Sequence, residues 1–230
     1  MPYDPSRHHR RSIRLKGYDY TQPGAYFITI CTHDRVHWFG HIVDGVMRLN
    51  AYGEIVREEW FQTAVVRPYV VLYPDEFVVM PNHVHGIIWI MDRGAETPDT
   101  GATLARTLQL VQAARRAAQS EASHRDAPTS HGPDAGSIGA ILGQFKSATT
   151  KRINALRNTA ETPIWHRNYY EHIIRHERAL SAIRRYIQEN PLRWHLDREN
   201  PAHTGGDPLA QEILAMFQED DAELFTSEDL

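Results

Sequence analysis

The chain has 230 residues, 41% hydrophobic and 23% charged, the proportions of a soluble globular protein with room for one sizeable core. Its longest apolar run, Gly86 to Met91, is too short to span a bilayer, and the Arg- and His-rich start has no apolar segment behind it, so neither a membrane span nor a secretory signal is expected. A single cysteine, Cys31, excludes an internal disulfide and a cysteine-based zinc cluster, in keeping with a reducing, cytoplasmic setting. The formal net charge of −4 excludes a uniformly basic surface but hides an uneven distribution. Arg7, Arg10, Arg11, Arg14 and Lys16 form a basic start, Lys146 to Arg193 is biased to Lys and Arg, and the only charges from Gln211 to Leu230 are acids. A basic working face is therefore compatible with the negative total.

In chain order, residues 1–18 read as a basic arm. Gly24 to Thr32 is rich in aromatic and β-branched residues and predicts a strand. Trp38 to Leu49 predicts a hairpin turning at Asp44-Gly45. Asn50 can cap a helix to about Val66 whose apolar face is Ile55, Val56, Trp60, Phe61 and Ala64, with Pro68 beyond its end. Val70 to Tyr73 and Phe77 to Met80 predict the next strand region, Pro81-Asn82 a turn, and His83 to Met91 a returning strand. Residues of about 93–135 are dense in Gly, Pro, Ser, Thr and Asp and read as a flexible insertion, with Leu104 to Gln119 able to form a helix. Ile138, Ile141, Leu142, Phe145, Thr149 and Ile153 follow helical spacing. A short strand near Tyr169 to Arg175 and a helix from Glu177 to about Glu189 follow, the helix stopped by Asn190-Pro191 because a residue before proline is pushed out of the helical region. Residues 196–230 read as an acidic extension with a short amphipathic helix from Pro208 to Phe217. The order β, α, β, β, then helix and strand, predicts an α+β fold of the split βαβ, ferredoxin-like kind, its antiparallel sheet backed by helices.

Two features carry chemistry. His83 and His85 are alternate residues of a strand, so both project from one face about 6–7 Å apart along it. Such a pair offers two imidazoles to a metal, although a chain with 14 histidines contains about one His-x-His by composition alone, and a structural pair fits the stretch equally. Tyr186 and Asn190 are one helical turn apart and share a face, supplying a phenol and an amide oxygen together. Docked against the histidine strand, that face would place a tyrosine nucleophile beside a metal held by His83, His85 and Asn190. The combination suits phosphodiester cleavage, since a divalent cation offsets charge on the phosphoryl group while the tyrosine forms a covalent link.

Three stretches together resemble the insertion-sequence tyrosine transposases, and more closely their REP-associated relatives. They are Arg10 to Tyr20 followed by Tyr26-Phe27-Ile28-Thr29; Met80-Pro81-Asn82-His83-Val84-His85-Gly86; and Trp165 through Tyr169-Tyr170-Glu171-His172-Ile173-Ile174-Arg175 to Tyr186-Ile187-Gln188-Glu189-Asn190-Pro191. The resemblance covers most of residues 10–195 apart from the insertion. It implies a ferredoxin-like HUH core over residues 19–195 acting on single-stranded or hairpin DNA, with His83 and His85 as ligands to Mg²⁺ or Mn²⁺ and Tyr186 forming a 5′-phosphotyrosine. Asn190 stands where insertion-sequence members carry a glutamine ligand, one methylene longer. The family includes dimers with shared sites and monomers, so either a monomer or a homodimer fits. Tyr169 and Tyr170 are rival nucleophiles, but their strand setting suits packing or base stacking. Arg10, Arg11, Arg14, Lys146, Lys151, Arg152, Arg175, Arg184 and Arg185 are candidates for phosphate contacts. Two other functions are compatible with the sequence: a non-catalytic nucleic-acid-binding protein that keeps the fold, and a metallohydrolase in which the histidines activate water. The second lacks a carboxylate in these motifs.

Overall fold

The computed structural model describes residues 18–92, 133–160 and 162–226, with residues 221–226 described by their backbone alone. The basic arm and nearly all of the insertion lie outside these ranges. The central strand β1 (Gly24–Cys31) is flanked by β6 (His83–Ile90) and β7 (Tyr170–Ile174), both antiparallel to it. On the far side of β6 run β4 (Val70–Val71) and β5 (Phe77–Val79), two pieces of one edge strand separated by the single 3₁₀ turn Pro74–Glu76. A separate hairpin, β2 (Gly40–Val43) and β3 (Val46–Leu49), turns through Asp44 and Gly45 at φ of 50° and 72°, the left-handed pair that a tight hairpin turn needs.

Helix α1 (Ala51–Val66) is capped as the sequence predicts: Asn50 Oδ1 accepts from the N–H groups of Tyr52 and Gly53 at 2.9 and 3.0 Å. Helix α2 (Ile138–Arg157) is capped by Ser137, and α3 (Glu177–Glu189) by His176, whose Nδ1 accepts from Ala179 N–H at 3.0 Å. The last helix, α4 (Pro208–Thr226), runs well past the predicted Phe217. Leaving aside the β2–β3 hairpin, the order is β1, α1, edge strand, β6, α2, β7, which is the α+β split βαβ, ferredoxin-like topology.

Both faces of this sheet are covered. Tyr26, Ile28 and Ile30 of β1 and Val84, Ile88 and Ile90 of β6 face α1 and α2, around Trp60, Ile141 and Phe145. The alternate residues Ala25, Phe27, Ile87 and Trp89 face α3 and α4, which bring Leu180, Ile183, Ile187, Leu209, Ile213 and Phe217. Each such side chain contributes about 1.5–3 kcal/mol on full burial. His83 and His85 fall on this second face and are buried. No helix among the described residues is long and apolar enough to cross a membrane.

One expectation gives way. Helix α3 ends after Glu189, but Asn190 keeps helical dihedrals (φ −54°, ψ −41°) in spite of the proline after it. The following turn continues the winding, with Arg193 N–H donating to the carbonyls of Glu189 and Asn190 at 3.1 Å each. Asn190 therefore stays in line with Tyr186.

Gly86 lets α1 approach the histidine strand. A Cβ there would lie 2.5 Å from Trp60 Cζ2 and 3.0 Å from Phe77 Cδ2, and these two rings are stacked at 4.4 Å. Gly86→Ala should thus lower stability by about 1–3 kcal/mol, because the buried Trp60 ring, the nearest neighbour, has little room to yield. Urea unfolding measures the loss.

Candidate metal and nucleophile site

Pairing places Thr29 opposite His85 and Cys31 opposite His83. Each imidazole is then held by its Nδ1. Asn82 Nδ2 donates to two carbonyl oxygens, those of Arg35 at 3.2 Å and Glu199 at 2.7 Å, so its Oδ1 must face His83. An amide oxygen only accepts. His83 Nδ1, 2.9 Å away, must carry the hydrogen, which leaves a lone pair on His83 Nε2. His85 Nδ1 lies 2.8 Å from Thr29 Oγ1, a hydroxyl that can donate or accept, so His85 can also present Nε2 as a lone pair.

The two Nε2 atoms are 2.9 Å apart, and Asp197 Oδ2 is 3.5 Å from His83 Nε2. Asp197 is 3% exposed; one of its oxygens accepts from Glu199 N–H at 2.7 Å, while Oδ2 has no hydrogen-bond partner among the described residues. Asn190 is 0% exposed. Its amide acts on the ionisation of both His83 and Tyr186, yet neither Oδ1 nor Nδ2 makes a hydrogen bond of ordinary geometry among the described residues. Burial pushes the His83 imidazole below its ordinary range, against the pull of Asp197 and Glu199. It pushes His85 further down, helped by the neighbouring His83 and Arg198. Both rings are thus neutral at physiological pH and face a buried carboxylate.

This donor set fits a divalent cation. His83, His85 and Asp197 offer ligand atoms that all lie within 4.8 Å of one another. The 2.9 Å separation of the Nε2 atoms matches the ~3 Å that two ligands at right angles require around an octahedral ion with bonds of ~2.1 Å. Two imidazoles, a carboxylate and an unpartnered amide oxygen suit Mn²⁺ better than Mg²⁺, which prefers an all-oxygen shell.

Helix α3 brings Tyr186 to the same place. Its hydroxyl lies 3.4 Å from His85 Nε2, and the two rings are 5.0 Å apart. Burial raises the phenol's pKa above its usual range, and the charges of Asp197 and Asp207 add to the shift. Beside the hydroxyl is a cavity of ≈ 190 Å³ walled by Phe27, Tyr170, Leu196, Asp197 and Phe217. Tyr170 lies on β7 opposite Thr29, edge-on to Phe27 and stacked on Phe217.

The candidate DNA contacts are scattered. Lys146 donates to the carbonyls of His166 and Arg167 at 2.6 and 2.9 Å, and burial lowers its pKa to about 8. With exposed Lys151 and Arg167 it lines an open groove on α2. His166 N–H is bonded to the carbonyl of Cys31, so this groove meets the end of β1 that pairs with His83. Arg152 instead forks onto Glu58 and Glu59 of α1 at 2.6 and 2.7 Å. Arg175 is buried, 3.9 Å from Asp220. Arg184 is taken up by Glu76 at 2.6 Å, and Arg185 is exposed, 3.6 Å from Glu212. Arg10, Arg11 and Arg14 lie outside the described residues. Asp197 escapes the sequence reading altogether, whereas Asn82 and Thr29 lie within its motifs but are given no role there.

A protein of Haemophilus influenzae described only as uncharacterized is 40% identical over 196 residues, 85% of this chain and 96% of that protein. The chain belongs to that protein's family. No family model matches it. A solved structure of a REP-associated tyrosine transposase bound to a REP hairpin is similar at 17% identity and a TM-score of 0.45, over 81% of this chain and 74% of that one.

Asn82→Ala frees the tautomer of His83 and should weaken Mn²⁺ binding by about 10–100-fold, as read by calorimetric titration. A second expectation concerns pH. Because burial holds both imidazoles below the ordinary 6.5, the unfolded chain takes up protons before the folded one as pH falls. In chelator, stability should be level above pH 6.5 and decline below it, by up to about 1.4 kcal/mol per pH unit for each histidine. His85→Gln should flatten that slope in urea unfolding.

Proposed function

We propose that the protein is a metal-dependent DNA strand transferase that cleaves single-stranded or hairpin DNA through Tyr186. One observation carries this reading: the Tyr186 hydroxyl sits 3.4 Å from His85 Nε2, beside His83, Asp197 and Asn190, all supplied by one chain. A phenol next to a divalent-cation site is the equipment for covalent phosphodiester chemistry, and the motifs that resemble tyrosine transposases supply Tyr186, His83, His85 and Asn190.

His83, His85, Asp197 and Asn190 would hold the cation, which when bound polarises a non-bridging phosphoryl oxygen and offsets the charge of the transition state. Tyr186 Oη forms a bond to phosphorus as the bond from phosphorus to O3′ breaks. The phenolic hydrogen is lost and O3′ gains one, so the products are a 5′-phosphotyrosine and a free 3′-hydroxyl. The energy of the broken bond stays in the new ester, which a second 3′-hydroxyl can attack. Burial keeps Tyr186 protonated at rest. The groove of Lys146, Lys151 and Arg167 would carry DNA backbone to the end of β1 beside the histidines, with Arg185 and the arm residues Arg10, Arg11 and Arg14 as further contacts. Arg152 and Arg175, held by acidic partners, are poor candidates for that role.

The test is a labelled single-stranded hairpin oligonucleotide incubated with the protein and Mn²⁺ or Mg²⁺, then run under denaturing conditions. A protein–DNA adduct should form, vanish in Tyr186→Phe and in chelator, and persist in Tyr170→Phe. Asp197→Asn should shift the metal requirement upward. Cleavage without Tyr186 would turn the assignment to a hydrolase, and DNA binding without cleavage under every metal would turn it to a binding protein.

A further inference from the structure

Glu76 lies at the break in the edge strand and is 1% exposed, a depth at which a carboxylate needs strong partners. It has two, from two different elements. Oε2 accepts from Trp89 Nε1 at 2.5 Å, and Oε1 accepts from Arg184 Nε at 2.8 Å and Nη2 at 2.6 Å. Trp89 is on β6, four residues along from His85 and on its face, and Arg184 is on α3, two residues before Tyr186. One buried carboxylate thus ties the strand that carries the imidazoles to the helix that carries the phenol. Most of what remains around that interface is apolar, with Leu180, Ile183 and Ile187 in one cluster with Phe27, Ile87 and Trp89, beside the long Gln188 Nε2 to Asp75 carbonyl contact at 3.5 Å. The apolar contacts are non-directional: they fix how close the helix lies but resist rotation and sliding weakly. A charge-assisted bond of fixed geometry resists both.

We propose that Glu76, through Arg184 and Trp89, is a positioning residue that sets the register of α3 against β6 and so delivers the Tyr186 hydroxyl to His85. The interruption between β4 and β5 gains a purpose, since a continuous edge strand would keep residue 76 in the ladder rather than let it reach under α3. The catalytic part of this inference rests on the phosphotyrosine reading; the docking part does not. A reacting group displaced by about 1 Å loses on the order of a hundredfold in rate, so modest slippage of α3 has a large effect.

Glu76→Gln tests the latch, because a carboxamide has one accepting oxygen and cannot serve both donors. Arg184→Met cuts the α3 side alone, at a position partly open to solvent that the fold tolerates more readily, and Arg184→Lys keeps the charge without the fork. In wild type, proton NMR should show a cross-peak between the His85 and Tyr186 rings, 5.0 Å apart, and one between His83 and His85, 4.5 Å apart. Glu76→Gln and Arg184→Met should weaken the first and leave the second. Mn²⁺ affinity should change by less than about threefold while single-turnover adduct formation falls about 10–100-fold, with part of the loss recovered in Arg184→Lys. An unchanged His85–Tyr186 cross-peak in Arg184→Met overturns the proposal. A weakened cross-peak with an unchanged adduct rate overturns its catalytic part. If wild type forms no adduct at all, the phosphotyrosine reading fails while the NMR comparison still decides the latch.

Discussion

A buried carboxylate facing two neutral imidazoles is an arrangement short of one positive charge, and much of the molecule serves to keep it that way. A carboxylate as deeply buried as Asp197, at 3% exposure, is commonly completed by a bound cation in proteins. Protonating His83 would supply the charge, but burial opposes this and the Asn82 bridge already places the ring's hydrogen on the other nitrogen. The Asp197 and Asn190 oxygens that have no hydrogen-bond partner among the described residues suit the cation proposed above.

The same charges act in two directions. Asp197 attracts a cation and also raises the pKa of Tyr186, after burial, with Asp207 adding to it. Asp207 stays ionised: burial works against it, but Arg193 and the N–H of Leu209 hold its carboxyl below the ordinary range. A phenol in that field remains a phenol until positive charge arrives. In the proposed reaction the nucleophile and the cation site are thereby coupled electrostatically through Asp197.

The periodic parts of the structure were legible in the sequence, and the aperiodic parts were not. Asn50 and Glu177 mark helix starts, and the alternation through β6 sorts His83 and His85 from Val84 and Ile88, because capping and pleating are local rules. Tyr186 and Asn190 share a face for the same reason. Asp197 follows the helix stop in an irregular turn that has no period to read, and its partner His83 is more than a hundred residues earlier. Charge counting along the chain fails in another way. Arg152, Arg175 and Arg184 look alike in sequence, yet Glu58 and Glu59, Asp220 and Glu76 engage them internally. Only pairing in space separates a structural arginine from one free to meet phosphate.

The C-terminal segment shows how packing sets the chemistry. Its sequence looks like an acidic extension, but one side of α4 carries Leu209, Ile213, Met216 and Phe217, and these close over Phe27 on the face that α1 and α2 leave open. Phe217 stacks on His172 at 3.5 Å, and Asp220 accepts from His176 at 3.2 Å, so the helix is held at its far end as well. A ferredoxin-like sheet backed only by α1 and α2 would present its second face to water, where two histidines titrate near neutrality and a tyrosine is an ordinary phenol. Covering that face with α3 and α4 removes the water. Desolvation then lowers the imidazoles and raises the phenol beside Asp197. The perturbed groups at the centre of the site thus follow from where two apolar helix faces come to rest.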